Sequence, residues 1–192
     1  MRHLFHGSRR LQEVSNPSGL FLETKEKPVP GSVITATIEG NRPILAEIQA
    51  LAAHTPFGMP RRTAVGVDYN RSTCSLPFLK NEVGMNFGDQ DAYVSAVGGM
   101  KITEPAVDLA IVGALFQATQ CAVGAGILCL GEVGLTGELR RVGLTDRRIK
   151  EAAQLGFKRF IVPRGSFMNG KKAPAGVVEC RTVEEAIGAM FR

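Results

Sequence analysis

The run "PAVDLAIVGALFQAT" (Pro105 to Thr119) limits the possible folds more than any other stretch. Pro105 suits a first helical position, and Glu104 before it sets negative charge at the positive end of the helix dipole. The helix that follows is apolar nearly all round, so it must be buried. The rest of the chain therefore has to supply elements that cover it.

Those elements can be read in order. "SVITATIEG" alternates, is rich in β-branched residues and predicts a strand ending at Gly40. "PILAEIQALAA" fits strand and helix periods alike; its place between strand-like segments favours a strand. "TAVGVDY" (Thr63 to Tyr69) reads as another strand, and Asn70 or Ser72 as the cap of a helix running to about Val83. "AYVSAVGG" predicts a strand closing on two glycines, "GILCLGEVG" a buried strand and "GELRRVG" a short polar one. Thr145 is the expected cap of a helix stopped by Gly156. Ile149, Ala152, Ala153 and Leu155 should face inward, with Arg147, Arg148, Lys150, Glu151 and Gln154 outward. "FKRFIVP" and "GVVEC" predict two more strands, before an amphipathic helix capped by Thr182.

The fold class expected is α/β (α+β), mixed sheets with packed helices, antiparallel in the first half and βαβ-like in the second. Residues 1–30, punctuated by "NPSG" and "KPVPG", read as an arm or linker, and residues 31–192 as one domain.

Charge narrows the function. The chain carries +5, yet Gly131 to Lys172 holds ten basic and four acidic residues, more than the whole excess. A concentrated positive field suits a polyanion, with nucleic acid the first candidate and a solvated basic face the alternative. Nucleotide hydrolysis by this chain is not expected, since it has neither GxxxxGK[ST] nor a GxGxxG opening a helix. Cys74, Cys121, Cys129 and Cys180 form no CxxC pair and read as free thiols; His3, His6 and His54 add no zinc spacing, so no metal site is expected. No signal peptide or membrane span is apparent, which predicts a soluble, cytoplasmic protein without membrane contact.

The order of blocks carries a resemblance. A strand ending in "GG", a proline-led helix, "GEVGLTGELRRVG", a charged helix, "GFKRFIVP" and a last helix together resemble the Lon-type proteolytic domain. "LQEVSNPSGLFL", "PGSVITATIEGNRPILAEIQALA", "PRRTAVGVDYNR", "VGGMKITEPAVDLAI" and "RRIKEAAQLGFKRFIVP" extend it to the Lon-like C-terminal domain of the RadA/Sms recombination family, from about residue 11 onward. The resemblance implies a Lon proteolytic-domain-like fold. Lon peptidases use a serine–lysine dyad, but the serine's place here is Ala106 and the lysine's is Asp146. Alanine offers no nucleophile and aspartate is a poor base for a hydroxyl, so no catalytic residue is expected; Thr103 and Lys150 are the nearest stand-ins for a displaced dyad.

The resemblance further implies a hexameric ring acting on single-stranded or branched DNA, alongside a recombinase of the RecA type. ATP, Mg and Zn would be expected only in other domains of the parent protein, with a bacterial cytoplasm or a plant organelle as location. Arg61, Arg62, Arg71, Lys101, Arg140, Arg141, Lys171 and Lys172 are the candidate DNA contacts, with intrachain ion pairs the competing reading for the arginines. Arg140 and Arg141, adjacent on a strand, should point to opposite faces. Asp108, a single acid in the apolar helix, reads as a dipole partner or an arginine's mate rather than a site carboxylate. A purely structural oligomerisation module is the alternative function.

Overall fold

A computed structural model describes residues 4–6, 11–13, 29–55, 58–120, 126–167 and 173–190. β1 (Leu4–His6) and β2 (Leu11–Glu13) form a small antiparallel pair within the expected arm. β3 (Ser32–Glu39) and β4 (Arg42–His54) are a long hairpin, so the ambiguous "PILAEIQALAA" is a strand. Gly40, at φ +64°, supplies the positive φ that its two-residue loop needs.

Next come β5 (Arg62–Val65), α1 (Tyr69–Val83) and β6 (Gln90–Ala96). A 3-10 turn at Pro105–Val107 leads into α2 (Asp108–Gln120). β7 (Ile127–Cys129), β8 (Glu132–Val133), β9 (Leu139–Arg140) and α3 (Thr145–Gln154) follow. β10 (Arg159–Pro163), β11 (Val177–Cys180) and α4 (Val183–Met190) complete the described elements.

Seven strands form one mixed sheet in the order β11-β10-β7-β3-β4-β6-β5, and β8 pairs with β9 separately. β3, β4 and β6 run antiparallel, while β7, β10 and β11 extend the sheet in parallel from β3. The first half is not wholly antiparallel: β5 pairs with β6 in parallel, because α1 makes the crossover between them.

The alternation of each strand sorts its side chains between two layers. Val33, Ala46, Ile48, Val94, Cys129 and Ile161 face the layer containing α2 and α4. Ala36, Leu45, Leu128, Leu130, Phe160 and Val162 face Ile149 and Ala152 of α3. α2 is buried along nearly its whole length, as its sequence requires. Cys129 and Cys180 are free, buried thiols, and burial first of all pushes the Cys180 thiol up to about 11. Cys121 and His3 lie outside the described residues.

Several local expectations are corrected. "TAVGVDY" stops as a strand at Val65, because Gly66 at φ +75° turns the chain, and Val67 keeps one isolated bridge to Ile102. α1 is capped by Asp68, whose carboxylate accepts from the Arg71 N–H at 3.0 Å, in place of Asn70 or Ser72. "GILCLGEVG" is broken into β7 and β8. Thr145 does not cap α3: its hydroxyl donates to the Val142 carbonyl, and Leu144, at φ +57°, holds the cap position. Thr182 does cap α4, accepting from the Glu185 N–H at 3.2 Å.

The largest correction concerns α3. Ala153 is exposed, whereas Arg148, expected outside, is 1% exposed.

Candidate functional site

The mouth of α2 is where a dyad would sit. Ala106 is buried, and its carbonyl accepts from the Gly131 N–H at 3.0 Å. The Leu109 N–H returns a bond to the Gly131 carbonyl at 3.1 Å, so the link between β7 and β8 is clasped onto the helix start. The Val107 N–H donates to the Glu104 carbonyl and the Asp108 N–H to that of Pro105. An oxyanion hole needs unspent donors aimed at one point, and these four N–H groups are already spent. Asp146 stands exposed in the first turn of α3, with its Oδ1 accepting from the Arg147 N–H at 3.0 Å. Thr103 and Lys150 are also exposed, and among the described residues no hydrogen bond joins them.

What fills this corner is an ion pair absent from the sequence reasoning. Arg148 binds Glu104 through both terminal nitrogens, donates from Nε to the Gly143 carbonyl at 2.9 Å and from Nη1 to the Ala36 carbonyl. Glu104 also accepts from the Thr37 hydroxyl at 3.2 Å and the Ile38 N–H at 3.1 Å. One carboxylate thus ties α3, β3 and the mouth of α2 together. A guanidinium keeps its proton at any ordinary pH, so Arg148 cannot act as a base.

Asp108, one turn into the same helix, does have an arginine partner. Its Oδ2 accepts from Arg71 Nη1 at 2.9 Å and the Val133 N–H at 3.3 Å, while the buried Oδ1 has no partner among the described residues. Burial lifts its pKa to about 6 from 3.8, against the opposing pull of Arg71 and the Val133 N–H. The folded chain therefore holds this proton better than the unfolded chain. The stability this adds is complete below about pH 4 and is lost as pH rises through 6, an effect of about 3 kcal/mol. Urea unfolding at pH 4 and pH 7 should give Asp108→Asn a flatter pH dependence than the parent; identical slopes would contradict the assignment.

The candidate DNA contacts divide between opposite edges of the sheet. Arg61 precedes and Arg62 begins the edge strand β5, with Arg71 on α1 beside it. Arg62 is spent on the Gln90 carbonyl, on that of Phe87 at 2.5 Å and on that of Arg61 at 3.0 Å. Arg71 is spent on Asp108. Arg61 and Lys101 are exposed, and Lys101 has no partner among the described residues.

At the far side, Arg140 is held by Glu138, at 2.5 Å from Nη2 and 3.0 Å from Nε, with Glu132 at 4.0 Å. The Thr136 hydroxyl first, then a backbone N–H and Arg140, hold the Glu138 carboxyl down at about 2. Arg141 is exposed and turns away to the Gly165 carbonyl, 3.5 Å off. Intrachain bonds thus account for Arg62, Arg71 and Arg140, while Lys171 and Lys172 lie outside the described residues. Among the described residues no helix is long and apolar enough to cross a membrane.

No family model matches the chain. It is 47% identical over 180 residues to the DNA repair protein RadA of Bacillus subtilis, and 44% over 184 residues to that of Pseudomonas aeruginosa. The DNA repair protein RadA of Listeria monocytogenes is 43% identical over 179 residues. These matches take in 92–94% of this chain but 39–40% of the relatives, so the chain spans about two-fifths of their length. Identity at that level along nine-tenths of its residues makes the chain a member of the RadA family of DNA repair proteins, corresponding to one part of them.

Proposed function

We propose that the chain is the non-proteolytic, Lon-like C-terminal part of a RadA-type repair protein, assembling as a hexameric ring and holding single-stranded or branched DNA during recombination. The observation that carries this reading is the similarity to proteins named DNA repair protein RadA along nearly the whole chain. The helix mouth supports its non-proteolytic side, since Ala106 is buried and offers no nucleophile, and the N–H groups of Val107, Asp108, Leu109 and Gly131 are spent. On this reading the protein works in the cytoplasm, its partners include a RecA-type recombinase, and any ATP-driven step belongs to the portion of RadA proteins that this chain does not match.

DNA contact of this kind is phosphate contact, so affinity must fall with salt. For three contacts from Arg61, Lys101 and Arg141, a single strand should lose about twentyfold in affinity between about 50 and 200 mM salt. Fluorescence anisotropy with labelled oligo-dT checks this; binding that is undetectable, or indifferent to salt, removes the DNA role. An unfolded substrate should stay intact over hours, and cleavage lost in Lys150→Ala would instead establish a displaced dyad.

A second reading, a purely structural ring module, is favoured by the intrachain commitment of Arg62, Arg71 and Arg140. It predicts hexamers by light scattering without DNA affinity.

A further inference from the structure

The carboxyl ends of the parallel strands gather charges that the helix mouth does not use. β10 ends at Pro163 and β11 at Cys180, which are register partners, so Arg164 and Arg181 come next along two neighbouring strands. The Arg164 N–H donates to the Cys180 carbonyl at 2.7 Å, keeping the chains side by side beyond the ladder. With Glu179 and Glu185, these arginines line an open notch of about 420 Å3. The notch lies beyond the carboxyl ends of β10 and β11, at one edge of the sheet.

Each acid in the notch is tethered to the backbone. Glu179 accepts from the Ser166 N–H at 3.1 Å and Glu185 from the Arg181 N–H at 2.7 Å. Among the described residues, the guanidinium groups of Arg164 and Arg181 have neither ion-pair nor hydrogen-bond partner. Arg141, outside the lining, donates to the Gly165 carbonyl at 3.5 Å, next in the chain to Arg164. The Leu139 N–H fastens β9 to the same corner through the Arg181 carbonyl at 2.8 Å.

Arg164 and Arg181 bring two guanidinium groups to the lining of one notch, and a guanidinium is a planar fork that matches phosphate oxygens. Tethered carboxylates beside them can accept from hydroxyl or amino groups. A nucleotide presents both kinds of group together. We propose that this notch binds the phosphate of a nucleotide, with Arg164 and Arg181 on its oxygens and Glu179 and Glu185 on the neighbouring donors. A free nucleotide and a nucleotide unit within a DNA strand offer the same chemistry. The site goes beyond the diffuse, salt-dependent contact proposed above and does not depend on it.

The test titrates the full chain with AMP and, separately, with a 5′-phosphorylated oligo-dT, following binding by NMR and anisotropy. The variants are Arg164→Ala/Arg181→Ala together, the same pair changed to lysine, and Arg61→Ala as a control. Loss of the two guanidiniums should weaken binding about tenfold or more. The lysine pair keeps the charge but loses the forks, and should still bind severalfold more weakly than the parent. Thermal melts should match the parent, since neither side chain holds an internal partner. AMP binding that depends on the pair identifies a free nucleotide, and dependence seen only with oligo-dT identifies a strand. The proposal falls if the parent binds neither probe, if the alanine pair binds as the parent does, or if lysine restores full affinity. Oligo-dT binding lost in Arg61→Ala but kept in the alanine pair leaves the salt-dependent DNA reading standing and removes the notch.

Discussion

Arg148→Ala should destabilise the folded chain by about 3–5 kcal/mol, the cost of breaking a buried ion pair by removing one partner. The side chain is 1% exposed and satisfies Glu104, the Ala36 carbonyl and the Gly143 carbonyl at once. Its removal takes a donor from both carbonyls, leaves Glu104 with only the Thr37 hydroxyl and the Ile38 N–H, and opens a cavity between α3 and β3. Glu104→Gln keeps an acceptor oxygen but leaves the buried Arg148 charge without its counter-ion, so it should cost a similar amount, about 3–5 kcal/mol. Replacing both partners, Arg148→Met with Glu104→Leu, should recover most of the loss, because no buried charge is then left alone. Urea unfolding of the three variants checks the order. Arg148→Ala within 1 kcal/mol of the parent (roughly the value of an exposed pair) would mean that the network is ornamental.

Gly176→Ala should be nearly as damaging, at about 2–5 kcal/mol. Gly176 sits at φ +82°, where an L side chain costs about 1–2 kcal/mol. A Cβ there would also overlap the Lys158 carbonyl oxygen, which is backbone and cannot swing away as a side chain could. The Phe160 N–H donates to the Gly176 carbonyl at 2.9 Å, so any shift pulls β11 off the register it keeps with β10. Displacing β11 displaces Arg181, so this variant should lose nucleotide binding along with stability. Gly40→Ala is the control: its φ is also positive, at +64°, but its Cβ would meet nothing within 4 Å. It should lose only the conformational part, and equal losses in the two variants would rule out the steric clash.

Much of the framework was legible in the residues. The all-round apolar character of α2 demanded burial, alternation identified β3 and β6, and β4, whose period fits strand and helix alike, was placed by its strand-like neighbours. β8 and β9, two residues each, carry no period. Arg148 was misplaced because it lies next to Ile149 on α3, at the margin of the apolar face, where periodicity cannot separate inside from outside. Its partner Glu104 is distant in sequence and appeared only as a dipole charge. The same locality hid the Asp68 cap, absorbed into an apparent strand, and the spending of Arg62 on carbonyls of the chain before β6. The Asp108–Arg71 pair was the exception, since a lone acid in an apolar helix calls for a cation. For the arginines, composition gave the excess of charge but not which members the fold keeps for itself.

β3, at the centre of the sheet, also bears on the order in which the molecule assembles. One edge meets β4 through a two-residue loop, while the other meets β7 through Ile34 and Leu128, half the chain away. The hairpin can close early, because little chain entropy is lost in closing it. The parallel strands must wait until α2 is in place, for α2 lies between β6 and β7 in the chain and packs on the hairpin. Refolding should therefore be slow for a chain of this size, and the last region to gain hydrogen-exchange protection should be β10 and β11.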